Sequence, residues 1–234
     1  TTLAKLISGL LKPTSGMVYI NGVNLQELSS REIAGKIGLV FQNPLHQLFC
    51  ESVSKEIAFG LKNLGKPKKE IESRVYEILK NHNLLSYRDK HPLTLSEGQK
   101  KRLGLVSVLA MDPEFLIVDE PTLGQDLSYL LRLKAILREL TAGGKGVLII
   151  SHDIEFISDT AHRIAIMLNG KIVADERAEK ILFDEALLKQ CGLVAPAIPR
   201  LAKLLSMSPA LSREEILAKL MEGKRTQNVT EAQI

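Results

Sequence analysis

Two adjacent carboxylates stand at the end of one of the longest apolar runs in the chain. The run from Phe115 to Thr122 (FLIVDEPT) predicts a buried strand that delivers Asp119 and Glu120 to its carboxyl end. Ligands of open α/β sheets bind at that edge. One carboxylate there can hold Mg²⁺ through water, and a second can orient or deprotonate an attacking water. The pair alone is equally compatible with a strand that runs into an acidic turn.

Further polar residues stand at the ends of two other predicted strands. The run from Val147 to Asp153 (VLIISHD) ends in Ser151 and His152, and a histidine at that place can reach a γ-phosphate or a water. Gln42 closes the strand candidate of residues 37–42, where its amide can contact Mg²⁺ or water. Each of these side chains, taken alone, is as readily explained as part of the fold.

A helix that begins near Ser96 offers a different kind of site. Ser96 is a favourable N-cap, and Gly98 lies in the first turn of the predicted helix. Free backbone amides, a serine hydroxyl and a glycine at a helix N-terminus form a ready phosphate site. An ordinary capped helix accounts for the same residues.

The elements that must position these residues have two characters. Strands alternating with helices in residues 1–42 and 113–175 predict an α/β core with a mostly parallel sheet. Helical periodicity throughout residues 43–112 predicts an inserted helical subdomain. Residues 176–234 predict a helical tail, whose polar last ten residues, 225–234, are expected to be loose.

Local signals predict three smaller features of the core. Asn21-Gly22 and Asn169-Gly170 each predict the tight turn of a hairpin. Ser29, with Glu32 three residues later, predicts a capping box at the start of a short helix.

Composition excludes several classes of protein. The 234 residues carry a net charge of +4 without a dense basic block, and aromatic residues make up only 4%, so a nucleic-acid partner is not expected. The apolar runs are far shorter than the roughly 20 residues of a spanning helix, so any membrane role is expected to be peripheral. Cys50 and Cys191 belong to no CxxC pair and are expected to be reduced, buried thiols of a cytosolic protein.

The order and spacing of these motifs resemble the ABC ATPase family. The elements that match its Q-loop, signature, Walker B motif, D-loop and switch histidine are, in chain order, Gln42, the Ser96–Gln99 motif, Asp119 with Glu120, Leu123–Asp126 and His152. The resemblance runs from Thr1 to about residue 175. It implies a P-loop NTPase (RecA-like) core, ATP and Mg²⁺ as ligands, and a second ABC ATPase subunit, whose P-loop closes on this signature.

The resemblance also implies a role for each matching residue. Asp119 binds Mg²⁺ through water, Thr1 ligates it with its hydroxyl, and Gln42 links metal and water to the transporter interface. Glu120 is the general base, and His152 contacts the γ-phosphate. The residues implied to contact nucleotide, in this subunit or in its partner, are Thr1, Thr2, Ser96, Gly98, Gln99 and Asp126.

One position departs from the family pattern. The family has glycine where this chain has Glu97, and a carboxylate near a triphosphate is unfavourable unless it points away or meets a cation. Lys100 or Lys101 is close enough in sequence to supply that cation. The departure puts the strength of this half-site in doubt rather than its identity.

The family places a glycine-rich loop, GxxxxGK[ST], directly before the helix that here opens at Thr1. The first residues, TTLAKLISGLLKPTSG, look like the usual continuation of that loop. We therefore expect a chain that is cut just after the Walker A lysine, lacks most of its nucleotide cradle and is inactive by itself.

Three stretches resemble the energy-coupling-factor and cobalt-type importers in particular. They are Val40–Pro44 together with Gln47–Phe49, Glu120–Asp126, and Gly192–Leu201. This subfamily imports vitamins or transition-metal ions. Its members pair two ATPases with a transmembrane coupling protein and a substrate-binding membrane subunit. The resemblance thus implies a peripheral protein at the cytoplasmic face of the cell membrane, with a groove for the coupling protein formed by the helical insert and the Q-loop.

Two other functions compete with this one. A soluble ABC ATPase that acts on nucleic acid or the ribosome usually carries a coiled-coil insert or a second cassette, and neither occurs among these residues. A non-hydrolysing regulatory half of a heterodimer is disfavoured because Glu120 and His152 are both present. The apolar residues Leu201, Leu204 and Leu205 at helical spacing suggest a tail that dimerises.

Overall fold

The computed structural model of the chain describes residues 1–221. Its contacts divide the chain into two compact units, Thr1–Ser151 and the residues from His152 onward. The predicted boundaries at residues 42, 112 and 175 stay predictions. The predicted loose segment, residues 225–234, lies outside the described residues.

The structure contains the predicted alternation of strands and helices. The strands are β1 (Tyr19–Ile20), β2 (Val23–Asn24), β3 (Ile37–Val40), β4 (Phe115–Asp119), β5 (Gly146–Ile150), β6 (Arg163–Leu168) and β7 (Lys171–Arg177). The helices are α1 (Thr2–Ile7), α2 (Ser30–Lys36), α3 (Val53–Asn63), α4 (Lys68–Asn81), α5 (Glu97–Leu109), α6 (Leu127–Ala142), α7 (Ile154–Ser158), α8 (Ala178–Phe183), α9 (Glu185–Gln190) and α10 (Ala197–Leu204). Residues 213–221 are also helical.

The first unit contains a three-stranded parallel sheet. Its strand order is β3-β4-β5, with Val40 opposite Val118 and Asp119 opposite Ile150. Because parallel strands share one direction, their carboxyl ends meet at one edge, and the loops that leave β3, β4 and β5 begin there. The predicted α/β fold with a parallel sheet is confirmed.

A tight turn and a helix cap precede this sheet in the chain, where the sequence predicts them. Asn21 and Gly22 both have positive φ (50° and 80°), which is the geometry of the tight turn between β1 and β2. At the start of α2, Ser29 Oγ accepts a hydrogen bond from the Glu32 amide, and Glu32 Oε2 accepts one from the Ser29 amide. This reciprocal pair confirms the predicted capping box.

Helices α3, α4 and α5 pack around an apolar cluster of their own within the first unit. Its fully buried members include Val53, Ile57, Leu79, Leu103 and Val106. Ser52 caps α3 by accepting a hydrogen bond from the Lys55 amide. Residues 41–114, between β3 and β4, are all described by the structure and contain helices and turns without a strand, which fits the predicted helical character of this segment.

Helix α5 also packs closely on β3, at Gly38. A Cβ atom on Gly38 would overlap Val108 Cγ1 and lie 3.0 Å from Pro113 Cγ. Only a residue without a side chain allows this approach. We expect Gly38→Ala to lower the free energy of unfolding by about 1–3 kcal/mol, because α5 must shift. Urea denaturation measures it.

Gly35 provides the matched control, because a Cβ added there would lie at an ordinary 3.5 Å from Leu64 Cδ2. Gly35→Ala in α2 is expected to stabilise the chain by about 0.5–1 kcal/mol. Equal denaturation midpoints for the two variants would contradict the close packing of α5 on β3.

The second unit begins with α7 and a hairpin. β6 pairs antiparallel with β7 through a turn at Asn169 and Gly170, both with positive φ (49° and 76°), as predicted. Ile166, Ile181 and Leu188 are the buried members of an apolar cluster beneath this hairpin. Helices follow from Ala178 onward, and a smaller cluster of Ala202, Ala210 and Ile216 holds α10 to the last described helix.

Two expectations about side chains have different outcomes. Cys50 and Cys191 are free thiols, but both are partly exposed, so the expected burial is wrong. In the tail, Leu204 is 80% exposed and Leu201 and Leu205 are also exposed, and the predicted dimerisation stays a prediction.

None of the helices within residues 1–221 combines the length and the hydropathy that crossing a lipid bilayer requires.

Candidate functional site

The centre of the candidate site is Asp119, the last residue of β4. Its side chain is only 2% exposed, and its Oδ2 accepts a 2.6 Å hydrogen bond from the Thr1 hydroxyl. Its Oδ1 is buried without a hydrogen-bond partner, 3.7 Å from the Thr1 amino nitrogen. A buried carboxylate with an unused oxygen is costly unless a cation or a donor satisfies it.

These groups fit Mg²⁺. A hydroxyl and a carboxylate are the hard oxygen ligands that this ion prefers, and Mg²⁺ commonly uses one or two carboxylates together with substrate phosphates and water. Within residues 1–221, no group of three or more His, Cys, Asp or Glu side chains is arranged to hold a metal by itself. Thr1 and Asp119 are thus suited to a metal that arrives with a phosphate ligand.

Glu120 follows directly and has an unusual backbone. Its φ is 48°, in the left-handed region that a non-glycine residue seldom adopts. Its amide donates to the Ile150 carbonyl at 2.8 Å, which holds this conformation against β5. Ser151 Oγ donates to Glu120 Oε2 at 3.3 Å. Such backbone strain costs about 1–3 kcal/mol and is found mainly at functional sites.

Ser151 is a site contact whose position the sequence indicates but whose bond to Glu120 it does not. The signal that points to it is its position, because it follows β5 as Glu120 follows β4. Neighbouring parallel strands bring the residues after their last hydrogen-bonded pair side by side.

A cavity of about 10 Å³ lies beside the two carboxylates, roughly the space of a single water molecule. Gln42, Asp119 and Glu120 all line it, together with Gln47 and Lys101. The structure therefore brings the predicted residues Gln42, Asp119 and Glu120 to one place, although the Gln42 side chain is largely exposed.

The predicted phosphate-binding turn lies at the start of α5, outside that cavity lining. Ser96 Oγ accepts a hydrogen bond from the Gln99 amide, and Gln99 Oε1 accepts one from the Ser96 amide at 2.9 Å. The two predicted nucleotide contacts thus also form a capping box. Glu97 is 67% exposed and pairs with Lys100 Nζ at 2.8 Å, so Lys100 supplies the neutralising cation. A Cβ on Gly98 would lie 3.9 Å from Gln125 Oε1.

Lys101, unlike Lys100, does not pair with Glu97 but contacts a backbone carbonyl. Its ammonium donates to the backbone carbonyl of Leu123 and lines the cavity beside Glu120. Burial lowers the pKa of Lys101, and the carboxylates of Glu97 and Glu120 oppose that shift. The sequence analysis considered Lys101 only as a partner for Glu97, and no local pattern indicates that its ammonium reaches a carbonyl 22 residues away.

The remaining predicted residues lie at helix starts or in the other unit. Asp126 Oδ1 caps α6 by accepting from the Tyr129 amide at 2.8 Å. Thr2 is exposed at the start of α1, and His152 is the first residue of the second unit. The nucleotide contacts predicted for Thr2, Ser96, Gly98, Gln99 and Asp126, and the role of His152, stay predictions.

Comparison with known proteins finds one matching family model, described as ABC transporter, over residues 1–123. A putative ABC transporter ATP-binding protein of Methanosarcina mazei is 40% identical over 202 residues, which are 86% of this chain and 34% of the relative. The chain thus spans about a third of that relative's length. The energy-coupling factor transporter ATP-binding protein EcfA of Methanothermobacter thermautotrophicus is 39% identical over 208 residues, 88% of this chain and 66% of the relative.

Two solved structures are similar to this one. The structure of cbiO1 from Clostridium perfringens, described as part of the ABC transporter complex cbiONQ, has a TM-score of 0.68 and 30% identity and covers 88% of this chain and 82% of its own. A dimeric ATP-binding cassette in a post-hydrolysis state with ADP and Pi has a TM-score of 0.68 and 27% identity and covers 76% of this chain and 79% of its own.

Proposed function

This chain belongs to the ABC transporter family, and on that premise we propose that it binds ATP with Mg²⁺ and hydrolyses it to drive an importer of the energy-coupling-factor type. The observation that carries the proposal is the buried carboxylate of Asp119, which accepts a hydrogen bond from the Thr1 hydroxyl and is followed by Glu120 with its strained backbone. Likeness to EcfA and to cbiO1 supports the importer type. The proposed cargo is a vitamin or a transition-metal ion.

Thr1 and Asp119 would hold the Mg²⁺ ion, and Gln42, which lines the same cavity as Asp119, would contact its ligands. When bound, the ion neutralises charge on the β- and γ-phosphates. Because Asp119 is buried at the end of a three-stranded parallel sheet, its carboxylate has little freedom to move. The fixed position favours catalysis, since no reorganisation is needed when the reaction begins.

Glu120 is the proposed general base. Its carboxylate accepts a proton from the attacking water as the water oxygen bonds to the γ-phosphorus. The bond between that phosphorus and the β–γ bridging oxygen breaks, and ADP and inorganic phosphate are the products. Ser151 donates to Glu120 Oε2, which orients the carboxylate. His152 is the proposed γ-phosphate contact.

A second ABC ATPase subunit completes the proposed site. The exposed first turn of α5, with Ser96, Gly98 and Gln99, is the surface proposed to contact the partner's nucleotide, and Asp126 is proposed to lie at the same interface. Helix N-termini favour phosphate because their free amides and their dipole both attract negative charge. Similarity to a dimeric cassette with ADP and Pi supports this arrangement.

A cleft between α3 and α4 is the proposed docking surface for the transmembrane coupling protein. Its volume is about 510 Å³, and its floor is apolar, formed by Ala58, Ile71, Val75 and Leu79. Its rim carries five basic side chains and one acidic one, namely Lys55, Lys62, Lys66, Lys68, Arg88 and Glu72. Apolar side chains flanked by carboxylates are the chemistry that fits such a cleft.

Exposed aromatic residues extend this surface toward the Q-loop. Phe49, which is 65% exposed, packs edge to face on Phe59 of α3 with ring centroids 4.8 Å apart. Exposed aromatic groups of this kind mark interaction sites more often than free surface. A partner seated here would touch both the helical segment and the loop that follows Gln42. Such docking places the protein peripherally on the membrane, beside the coupling protein and a substrate-binding membrane subunit.

The test of this function compares two forms of the protein. The 234 residues contain no GxxxxGK[ST] sequence, so we propose that they do not hydrolyse ATP by themselves. The restored protein, defined as this chain with a glycine-rich loop and its preceding strand joined ahead of Thr1, is expected to release phosphate from MgATP at least about 100-fold faster. Phosphate release is measured for both.

The same assay with membrane partners identifies the transporter. Hydrolysis by the restored protein that rises when a transmembrane coupling protein is added supports an import motor. No hydrolysis by the restored protein under any condition would contradict the proposal and would favour a non-hydrolysing regulatory subunit.

A further inference from the structure

Helix α5 is attached by side chains to two loops that leave the catalytic edge of the sheet. From the loop after β3, Gln47 Nε2 donates to the Gly104 carbonyl at 2.7 Å and to Ser107 Oγ at 3.0 Å. To the loop after β4, Lys101 Nζ donates to the Leu123 carbonyl. The helix that begins with Ser96 is thus joined to both loops.

The loop of residues 121–126 is fixed at its two ends, whereas its middle bonds mainly to itself. Pro121 and Thr122 are buried, and Asp126 caps α6. Between these ends, the hydrogen bonds from Gln125 go to Thr122, Leu123 and Gly124, all within the loop. Gly124 has a φ of 67°, and Leu123 is 50% exposed. The middle of such a loop can move unless something anchors it.

Lys101 has the features of such an anchor. A lysine on a surface helix normally extends its ammonium into water. Lys101 is instead partly buried, and its ammonium donates a hydrogen bond to a neutral carbonyl. Charge-assisted hydrogen bonds are stronger than neutral ones and hold geometry better. A Cβ atom added to Gly98 would lie 3.9 Å from Gln125 Oε1, so the start of α5 also lies near the same loop.

We propose that Lys101 is a positioning residue that fixes the loop of residues 121–126 to helix α5. That loop, which follows Glu120, and the signature turn, Ser96–Gln99, then move together. The inference rests on the proposed function, because both elements are there assigned to the contact with a second ATPase subunit. Within one protomer, Lys101 would transmit a displacement of the signature turn, caused by contact with the second subunit, to the loop that follows Glu120.

The direct test needs no catalysis. Hydrogen–deuterium exchange by mass spectrometry is measured on peptides covering residues 121–126 in the 234-residue chain. Lys101→Met, which keeps the length of the side chain and removes its charge, is expected to speed exchange there about 10-fold. Lys101→Arg retains a donor and is expected to stay within about 2-fold of the parent. Lys80→Met, at an exposed lysine of α4, is the matched control and is expected to change nothing there.

The second test uses turnover by the restored protein. Lys101→Met is expected to lower kcat about 10-fold with the KM for ATP within about 2-fold, because the loop is misplaced rather than the nucleotide site lost. Lys101→Arg should recover most of kcat. Unchanged exchange in Lys101→Met, or an Arg variant as impaired as the Met variant, would overturn the positioning role. A restored parent without any turnover would contradict the proposed function, while the exchange experiment would still decide the role of Lys101.

Discussion

Replacing Glu120 with glutamine in the restored protein is expected to lower ATP turnover by about 10³-fold and to leave ATP-induced dimers intact. The carboxylate is the proposed acceptor of the proton from the attacking water, and glutamine cannot accept it at neutral pH. General-base catalysis is worth about 10²–10⁴-fold, which sets the expected size of the loss. Glutamine matches glutamate in shape, so Asp119 and Thr1 keep their places and nucleotide binding persists. Phosphate release measures turnover, and size-exclusion chromatography with MgATP measures dimer formation.

The control for this variant is Glu114→Gln. Glu114 is an exposed carboxylate beside the opposite end of β4, where it pairs with Lys36 at 3.2 Å. Its removal is expected to change turnover less than about 2-fold, because exposed ion pairs contribute little. Unchanged turnover in Glu120→Gln would remove Glu120 from the role of base. Loss of the dimers would show instead that the variant no longer binds nucleotide.

Reversing the charge at the rim of the α3–α4 cleft is expected to weaken binding of the transmembrane coupling protein by about 30- to 1,000-fold. Lys62 is the informative position. Within residues 1–221 it forms no ion pair, whereas Lys55, Lys66, Lys68 and Arg88 have carboxylates within 4.0 Å. Lys62→Glu therefore places an uncompensated negative charge where an acidic partner is proposed to dock. Combining it with Tyr76→Ala removes a half-exposed ring from the same cleft.

Lys80→Glu is the matched control for the cleft variants. It makes the same charge reversal on α4, at an exposed residue outside the cleft lining, and is expected to bind the coupling protein like the parent. Binding is measured by co-purification and by stimulation of phosphate release in proteoliposomes. If Lys62→Glu with Tyr76→Ala binds as well as Lys80→Glu does, the coupling protein docks elsewhere.

Much of the fold could be predicted because local signals and the global pattern agree. The capping box at Ser29, the tight turn at Asn21 and the apolar strands that end at Val40 and Asp119 each act over a few residues. The parallel sheet followed from strand–helix–strand order, since crossover connections leave few topologies. The clustering of Gln42 with Asp119 followed in turn from the shared edge of that sheet.

The detailed geometry of the site could not be predicted, because it depends on contacts between residues that are distant in sequence. The positive φ of Glu120 is imposed by a hydrogen bond to Ile150, and glutamate has no intrinsic preference for it. The bond from Lys101 to Leu123 depends on where α5 lies relative to β4. Cys50 and Cys191 are partly exposed although cysteine is usually buried, so an average tendency does not fix the burial of a particular side chain.

The placement of the helical segment between β3 and β4 has a further consequence. These two strands are parallel neighbours in the sheet, with Ile37 paired to Phe115, so the segment leaves the sheet after Val40 at one edge and re-enters it at Phe115 at the opposite edge. Its length and sequence can therefore change over generations without altering strand order or the spacing of the carboxylates. The fold thus separates the residues of the proposed active site from the surface proposed to contact the membrane partners, so that one can vary while the other is kept.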